Sequence, residues 1–136
     1  MNNDIRWKQR FENFEKSYAT YQRMMAFYIA NTDEEAAQLA ATQAFEICVE
    51  LAWKVMKDYL ENEGFEINSP KETIRQAFAS DIIQGKNGEV WMQALNLRNL
   101  ASHTYDKKNL EVLLTFILEE FPDALAQLNL FLKGKL

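Results

Sequence analysis

Apolar residues recur every three or four positions along almost the whole chain, and little interrupts them, since 136 residues contain only four glycines and two prolines. A sheet needs period-two alternation and turn material, whereas a helix needs an apolar stripe at a period of 3.6. The pattern predicts an all-α protein. Phe11, Phe14, Tyr18, Tyr21, Met25 and Tyr28 trace one such stripe on a first helix over about 4–29. A second helix is expected over about 34–62, capped by Thr32 or Asp33 and stopped near Gly64. Ala44, Cys48, Leu51, Ala52, Val55 and Tyr59 form its inner face, and Gln43, Glu46, Glu50, Lys54 and Lys57 line another. Glu50 and Lys54, one turn apart, read as a modest surface pair rather than an acid–base couple.

The tetrapeptide Ser69-Pro70-Lys71-Glu72 is a helix start, with a capping serine, a proline at the first helical position and a glutamate that reaches back to complete a capping box. A short third helix begins there. Gln84-Gly85-Lys86-Asn87-Gly88 is the clearest loop, and from Glu89 a fourth helix turns Val90, Trp91, Ala94 and Leu95 to the core. Asp106 caps a last helix carrying Leu110, Leu114, Ile117, Leu118 and Phe121. Pro122 deletes a donor and crowds the carbonyl of Leu118, so a kink is expected there before Ala124, Leu125, Leu128 and Phe131 resume the stripe. Short connections make neighbours antiparallel. The expectation is one domain over residues 1–136, an up-and-down antiparallel bundle of four long helices plus a short fifth.

No apolar run approaches the ~18 residues of a membrane span, and the N-terminus lacks the apolar core of a secretory signal, so a cytoplasmic protein with no membrane partner is expected. The lone Cys48 excludes an internal disulfide and a cysteine metal cluster. The glycines show neither dinucleotide nor Walker-type spacing, and no Asp-x-Asp pair is present to hold magnesium for nucleotidyl transfer. No metal site, cofactor or nucleotidyltransferase activity of its own is expected. The aromatics, 12% of residues and helically spaced, read as core packing, with Trp7, Trp53 and Trp91 as core or interface anchors.

Net charge is −5, which argues against bulk electrostatic binding of nucleic acid. One segment departs from that balance. Residues 98–108 carry Arg98, Lys107 and Lys108 against Asp106 alone, a place where an anion can settle, although two lysines are too short a tract to hold nucleic acid by themselves. The same segment, Arg98-Asn99-Leu100-Ala101-Ser102-His103-Thr104-Tyr105, holds the only histidine. On an ideal helix Arg98 and His103 stand ~140° apart, so they converge only if the helix ends near His103, as the cap at Asp106 implies. The plainer reading leaves His103 favouring a helix C-terminus and Arg98 paired with a nearby carboxylate.

Arg98-x4-His103-x-Tyr105 resembles the signature of HEPN domains paired with minimal nucleotidyltransferases. The segments at 4–16 (DIRWKQRFENFEK), 49–60 (VELAWKVMKDYL) and 69–78 (SPKETIRQAF) resemble the same group in the same order, the nucleotidyltransferase substrate-binding proteins. The resemblance implies a bundle that dimerises so that two Arg–His segments face one cleft, with a separate minimal nucleotidyltransferase as partner. It implies a toxin–antitoxin-type module in which Arg98, Asn99 and His103 cleave RNA without metal and Tyr105 is adenylated to silence them. Arg98, Lys107 and Lys108 are the anion-binding candidates. One chain supplies a single imidazole and a symmetric dimer supplies two, one to act as base and one as acid. The alternative is a non-catalytic subunit that presents a nucleotide or small anionic substrate to the nucleotidyltransferase.

Overall fold

The computed structural model describes residues 2–136. Its elements are α1 (Asn3–Ala30), α2 (Glu35–Asn62), α3 (Pro70–Ala79), α4 (Asn87–Leu97), a short 3₁₀ segment (Arg98–Ser102), α5 (Lys107–Glu119) and α6 (Phe121–Lys133), and no described residue is in a strand. The all-helical expectation holds. The helix count does not, because the expected fourth long helix is two helices. Glu120, its backbone still right-handed helical but stretched to φ −112° and ψ −39°, is the one residue between the two, and α6 starts with Phe121 and Pro122. Pro122 has no N–H to give the carbonyl of Leu118, so a stop replaces the kink.

The break places Phe121 at the centre of the core. Its ring meets Phe45 at 5.1 Å, Trp91 at 5.1 Å, Phe116 at 5.6 Å and Tyr21 at 5.9 Å, mostly edge to face. Tyr21 also donates its hydroxyl to the carbonyl of Ile117 at 2.9 Å, satisfying a last-turn acceptor of α5. Burial pushes the Tyr21 phenol well above its ordinary range, and burial likewise pushes the thiol of Cys48 up to about 12.

α2 is the central helix, packed on α1 and touching α3, α5 and the 3₁₀ segment. That explains why its burial is wider than one stripe: Phe45, Val49, Met56 and Leu60 are buried along with Ala44, Cys48, Ala52, Val55 and Tyr59, while Leu51 is only half-buried. Asp58 is buried too, at 5% exposure, and accepts from Nε of Arg10 of α1 at 2.8 Å. Trp7 and Trp91 are buried, whereas Trp53 is half-buried with its Nε1 donating to Glu50 at 3.1 Å.

Caps follow the sequence in most places. Ser69 Oγ accepts from the amide of Glu72 at 3.1 Å, although Glu72 reaches back to the amide of Asn68, at 2.8 Å, rather than to Ser69. Asp106 Oδ1 accepts from the amide of Lys108 at 2.9 Å. Gly64 adopts φ +101° just beyond α2, the left-handed geometry of a helix stop. Neither Thr32 nor Asp33 caps α2. Glu34 stands at that position with no side-chain cap, and Gln38 ties the turn by donating to the carbonyl of Thr32 at 2.8 Å. No described helix is long and apolar enough to cross a membrane.

Candidate functional site

The local geometry around the histidine follows from a helix that tightens as it ends. α4 gives way at Arg98 to 3₁₀ geometry, which closes at His103, whose amide donates to the carbonyl of Leu100 at 2.9 Å. Asp106 then starts α5, and Asn109 of α5 donates to the carbonyl of His103 at 3.4 Å. The expected termination near His103 is therefore present. Arg98 and His103 each bond to a different partner, and no hydrogen bond or ion pair joins the two among the described residues.

The two residues look in different directions. Arg98 donates from Nη1 to Oε1 of Glu50 on α2 at 2.8 Å, with the guanidinium side chain 25% exposed and the carboxylate 40%. Glu50 thus pairs with Arg98, and with Trp53 through its other oxygen, instead of with Lys54. Asn99 is exposed and lies with Arg98, Ser69, Pro70 and Lys71 in a cleft of about 390 Å³ between the start of α3 and the end of α4. His103 is exposed and turns the other way, with Nδ1 3.2 Å from the hydroxyl of Tyr105 and the rings edge to face at 5.8 Å. Tyr105 is 83% exposed, the most open of the large apolar and aromatic side chains among the described residues. Lys107 and Lys108 are exposed beyond it and take part in no ion pair among the described residues.

The candidate residues thus form two half-sites on one short segment. One is a guanidinium with a carboxylate partner and a neighbouring amide. The other is an imidazole with a phenol, flanked by free lysines. Glu50 occupies Nη1 of Arg98 and leaves the other donors of the guanidinium open, so a phosphate there meets both the cation and the repulsion of the carboxylate. One chain supplies a single imidazole, so a pair of imidazoles acting as base and acid needs a second copy. The carboxylate partner that the plainer reading gave Arg98 is present, but which residue supplies it was not legible in the sequence. Glu50 lies 48 residues away, and the only local signal near it pointed to Lys54.

Comparisons with known proteins agree on the fold. A protein of known structure from Thermus thermophilus superposes with a TM-score of 0.70 at 24% identity, covering 87% of this chain and 97% of its own. A tri-AMPylated HEPN toxin from Shewanella oneidensis, solved in complex with its MNT antitoxin, superposes with a TM-score of 0.74 at 13% identity, covering 94% and 96%. No curated protein sequence matches the chain. Residues 9–134 match the family described as nucleotidyltransferase substrate binding protein like, and with almost the entire length so matched the chain belongs to that family.

Proposed function

We propose that this protein is the helical partner of a minimal nucleotidyltransferase in a toxin–antitoxin-type pair, that the partner adenylates Tyr105, and that Arg98, Asn99 and His103 form half of a metal-independent ribonuclease site completed by a second copy. The observation that carries the reading is the placement of Tyr105: 83% exposed, on a helix-to-helix turn, with its hydroxyl on the single imidazole of the chain. A phenol so open is reachable by a second protein's active site, and any group attached to its oxygen lies against His103. The family match and the fold shared with a tri-AMPylated toxin in complex with an MNT antitoxin support the same reading.

In the transfer, Tyr105 Oη attacks the α-phosphorus of ATP held by the partner, the bond to pyrophosphate breaks, and the phenolic proton passes to a base of the partner or to water. Bound to ATP, the partner's magnesium supplies the charge neutralisation that the step needs. In RNA cleavage, one His103 takes the proton of a 2′-hydroxyl, that oxygen attacks the adjacent phosphorus, and the other copy's imidazole protonates the departing 5′-oxygen. The products are a 2′,3′-cyclic phosphate and a 5′-hydroxyl end. Arg98 draws the negative charge of the pentavalent phosphate on the edge of the guanidinium that Glu50 leaves open, against the repulsion of that carboxylate. Adenylation replaces the hydroxyl beside Nδ1 with a phosphodiester, which crowds the imidazole and places an anion where the substrate's phosphate would sit.

The Glu50–Arg98 pair favours a second reading, a non-catalytic subunit that presents an anionic substrate, because it keeps the cation occupied at rest. Co-expression with an active minimal nucleotidyltransferase, followed by intact-mass analysis, tests the main one. An increment of whole adenylates, lost in Tyr105→Phe, is expected, and an unmodified chain beside a demonstrably active partner refutes it. Cleavage of RNA by the unmodified protein, abolished in His103→Ala, separates the two readings.

A further inference from the structure

A cleft between α3 and α4 lies outside the groups just described, yet runs into them. It has a volume of about 790 Å³ and is lined by Ile74, Arg75 and Phe78 of α3 and by Lys86, Met92 and Gln93 on or before α4. Asn96 lines both this cleft and the smaller one holding Lys71, Arg98 and Asn99, so the two adjoin along α4 and together form a groove. Lys86 and Arg98 mark its ends, ~18 Å apart at 1.5 Å per helical residue.

Its walls differ from the rest of the surface. In a chain of net charge −5 the groove carries Lys71, Arg75, Lys86 and Arg98, with Glu89 as the one carboxylate in its lining and Glu50 paired to Arg98 from α2. Lys71, Arg75 and Lys86 enter none of the ion pairs among the described residues. At the end away from Arg98, Phe78 is 45% exposed and rests on Gly88 in the first turn of α4, which takes up Asn87 and Gly88 of the stretch read from the sequence as a loop. A Cβ on Gly88 would come within 2.9 Å of its ring, so the glycine is what lets the ring lie close over the backbone. The result is an aromatic face, two side-chain amides at Gln93 and Asn96, and a row of cations.

We propose that this groove binds single-stranded RNA and feeds it to Arg98, with a base stacked on Phe78 and the phosphates running past Arg75 and Lys71. The proposal rests on the ribonuclease reading of Arg98 and His103 and adds to it where the strand lies. Aromatic stacking with flanking cations is how single strands are held with little regard to sequence. A mononucleotide would use one end only. A second copy packed here about a two-fold axis would set a basic strip against itself, which costs affinity.

The test uses the full-length protein carrying His103→Ala, so that RNA is bound without being cut, with a fluorescently labelled single-stranded oligo(A) RNA followed by anisotropy over a range of salt. Adding Phe78→Ala is expected to weaken binding at least about fivefold, the lower range of base–aromatic stacking. Adding Lys71→Gln, Arg75→Gln and Lys86→Gln together is expected to lower the slope of log affinity against log salt by about 2, near 0.7 per single-strand phosphate contact. Lys16→Gln, outside the groove, should change neither. Equal binding by the parent and both groove variants overturns the groove as the RNA path, as does absence of binding by the parent. So does a change of oligomeric state in the groove variants, which assigns the face to a second copy, and so does equal competition by ATP for all the parent's binding. Cleavage by the wild type and adenylation of Tyr105, measured on the same preparation, judge the underlying reading separately.

Discussion

Glu50→Gln is the substitution that bears most directly on whether Arg98 is a working group or a structural one. The carboxylate of Glu50 sits 2.8 Å from Nη1 of Arg98 and accepts from Trp53 through its other oxygen. Glutamine keeps an acceptor and removes the charge. Both partners are partly open to water, at 25% and 40%, so the pair contributes no more than ~1 kcal/mol to folding, and the variant should unfold at nearly the same urea concentration as wild type. Its effect on an anion is larger than its effect on the fold. A phosphate on the far side of the guanidinium lies ~6 Å from the glutamate, where two unit charges at an effective dielectric of ~40–80 repel by ~0.7–1.4 kcal/mol. Removing that repulsion should tighten RNA binding by roughly threefold to tenfold. The assay is anisotropy of labelled RNA in the His103→Ala background, with and without Glu50→Gln, at low salt. Unchanged or weakened binding by a folded variant refutes the argument, and so does a loss of ~3 kcal/mol or more of stability, which would mark the pair as part of the packing.

Arg10→Ala should cost about 3 kcal/mol by urea unfolding, because it strands the buried carboxylate of Asp58; Asp58→Asn added to it should recover a large part, and a cost below ~1 kcal/mol would show the pair to be marginal. Cys48 should resist thiol reagents in the native protein at neutral pH and react at once in denaturant, burial holding its thiol up at about 12. The same shift gives a sign for pH dependence. Native Cys48 and Tyr21 hold their protons above the pH at which the unfolded groups lose them, so their linked stability is intact below about 9, the ordinary thiol value, and falls as pH climbs toward 12. Urea midpoints at pH 8 and about 10.5, on either side of that ordinary value, check this, with the higher pH giving the lower midpoint and Cys48→Ala reducing the difference. Asp106→Ala, which removes the cap accepting from Lys108, should lower stability by ~1 kcal/mol, visible as an earlier thermal midpoint.

What was legible in the sequence is what short-range physics decides. The stripe from Phe11 to Met25, the serine and aspartate caps at 69 and 106, and the helix end at His103 all depend on residues within a few positions of one another, and all appear in the fold. The misses share the opposite property. Pro122 divides α5 from α6, and Phe121 beside it meets four aromatic rings from α1, α2, α4 and α5, a packing that local spacing cannot reveal. Glu50 chose Arg98 over Lys54 because α2 runs beside the 3₁₀ segment, a fact of packing. The cleft under Phe78 required α3 and α4 to lie side by side, so its residues carried no pattern in one dimension.

The arrangement also bears on how such a site could stay quiet. If Arg98 and His103 were preassembled in one chain, the protein would present a finished anion site whenever it was folded. Instead the guanidinium is held by a carboxylate of α2 and the imidazole by a phenol of its own segment. Each is engaged by a different event under the proposed function: Arg98 by a phosphate on the guanidinium edge that Glu50 leaves open, which loosens the hold of Glu50, and His103 by a substrate 2′-hydroxyl that takes the place of the Tyr105 hydroxyl. Two weak, half-exposed contacts are suited to this, since contacts of ~1 kcal/mol are displaced by ordinary binding energies. Arg10–Asp58 differs on the carboxylate side: Asp58 is 5% exposed, so opening that pair would strand a buried charge even though Arg10 is itself 42% exposed. That contrast between a fixed ion pair in the α1–α2 interface and an exchangeable one beside the motif is the physical reason to look for regulation at Arg98 rather than anywhere else in the bundle.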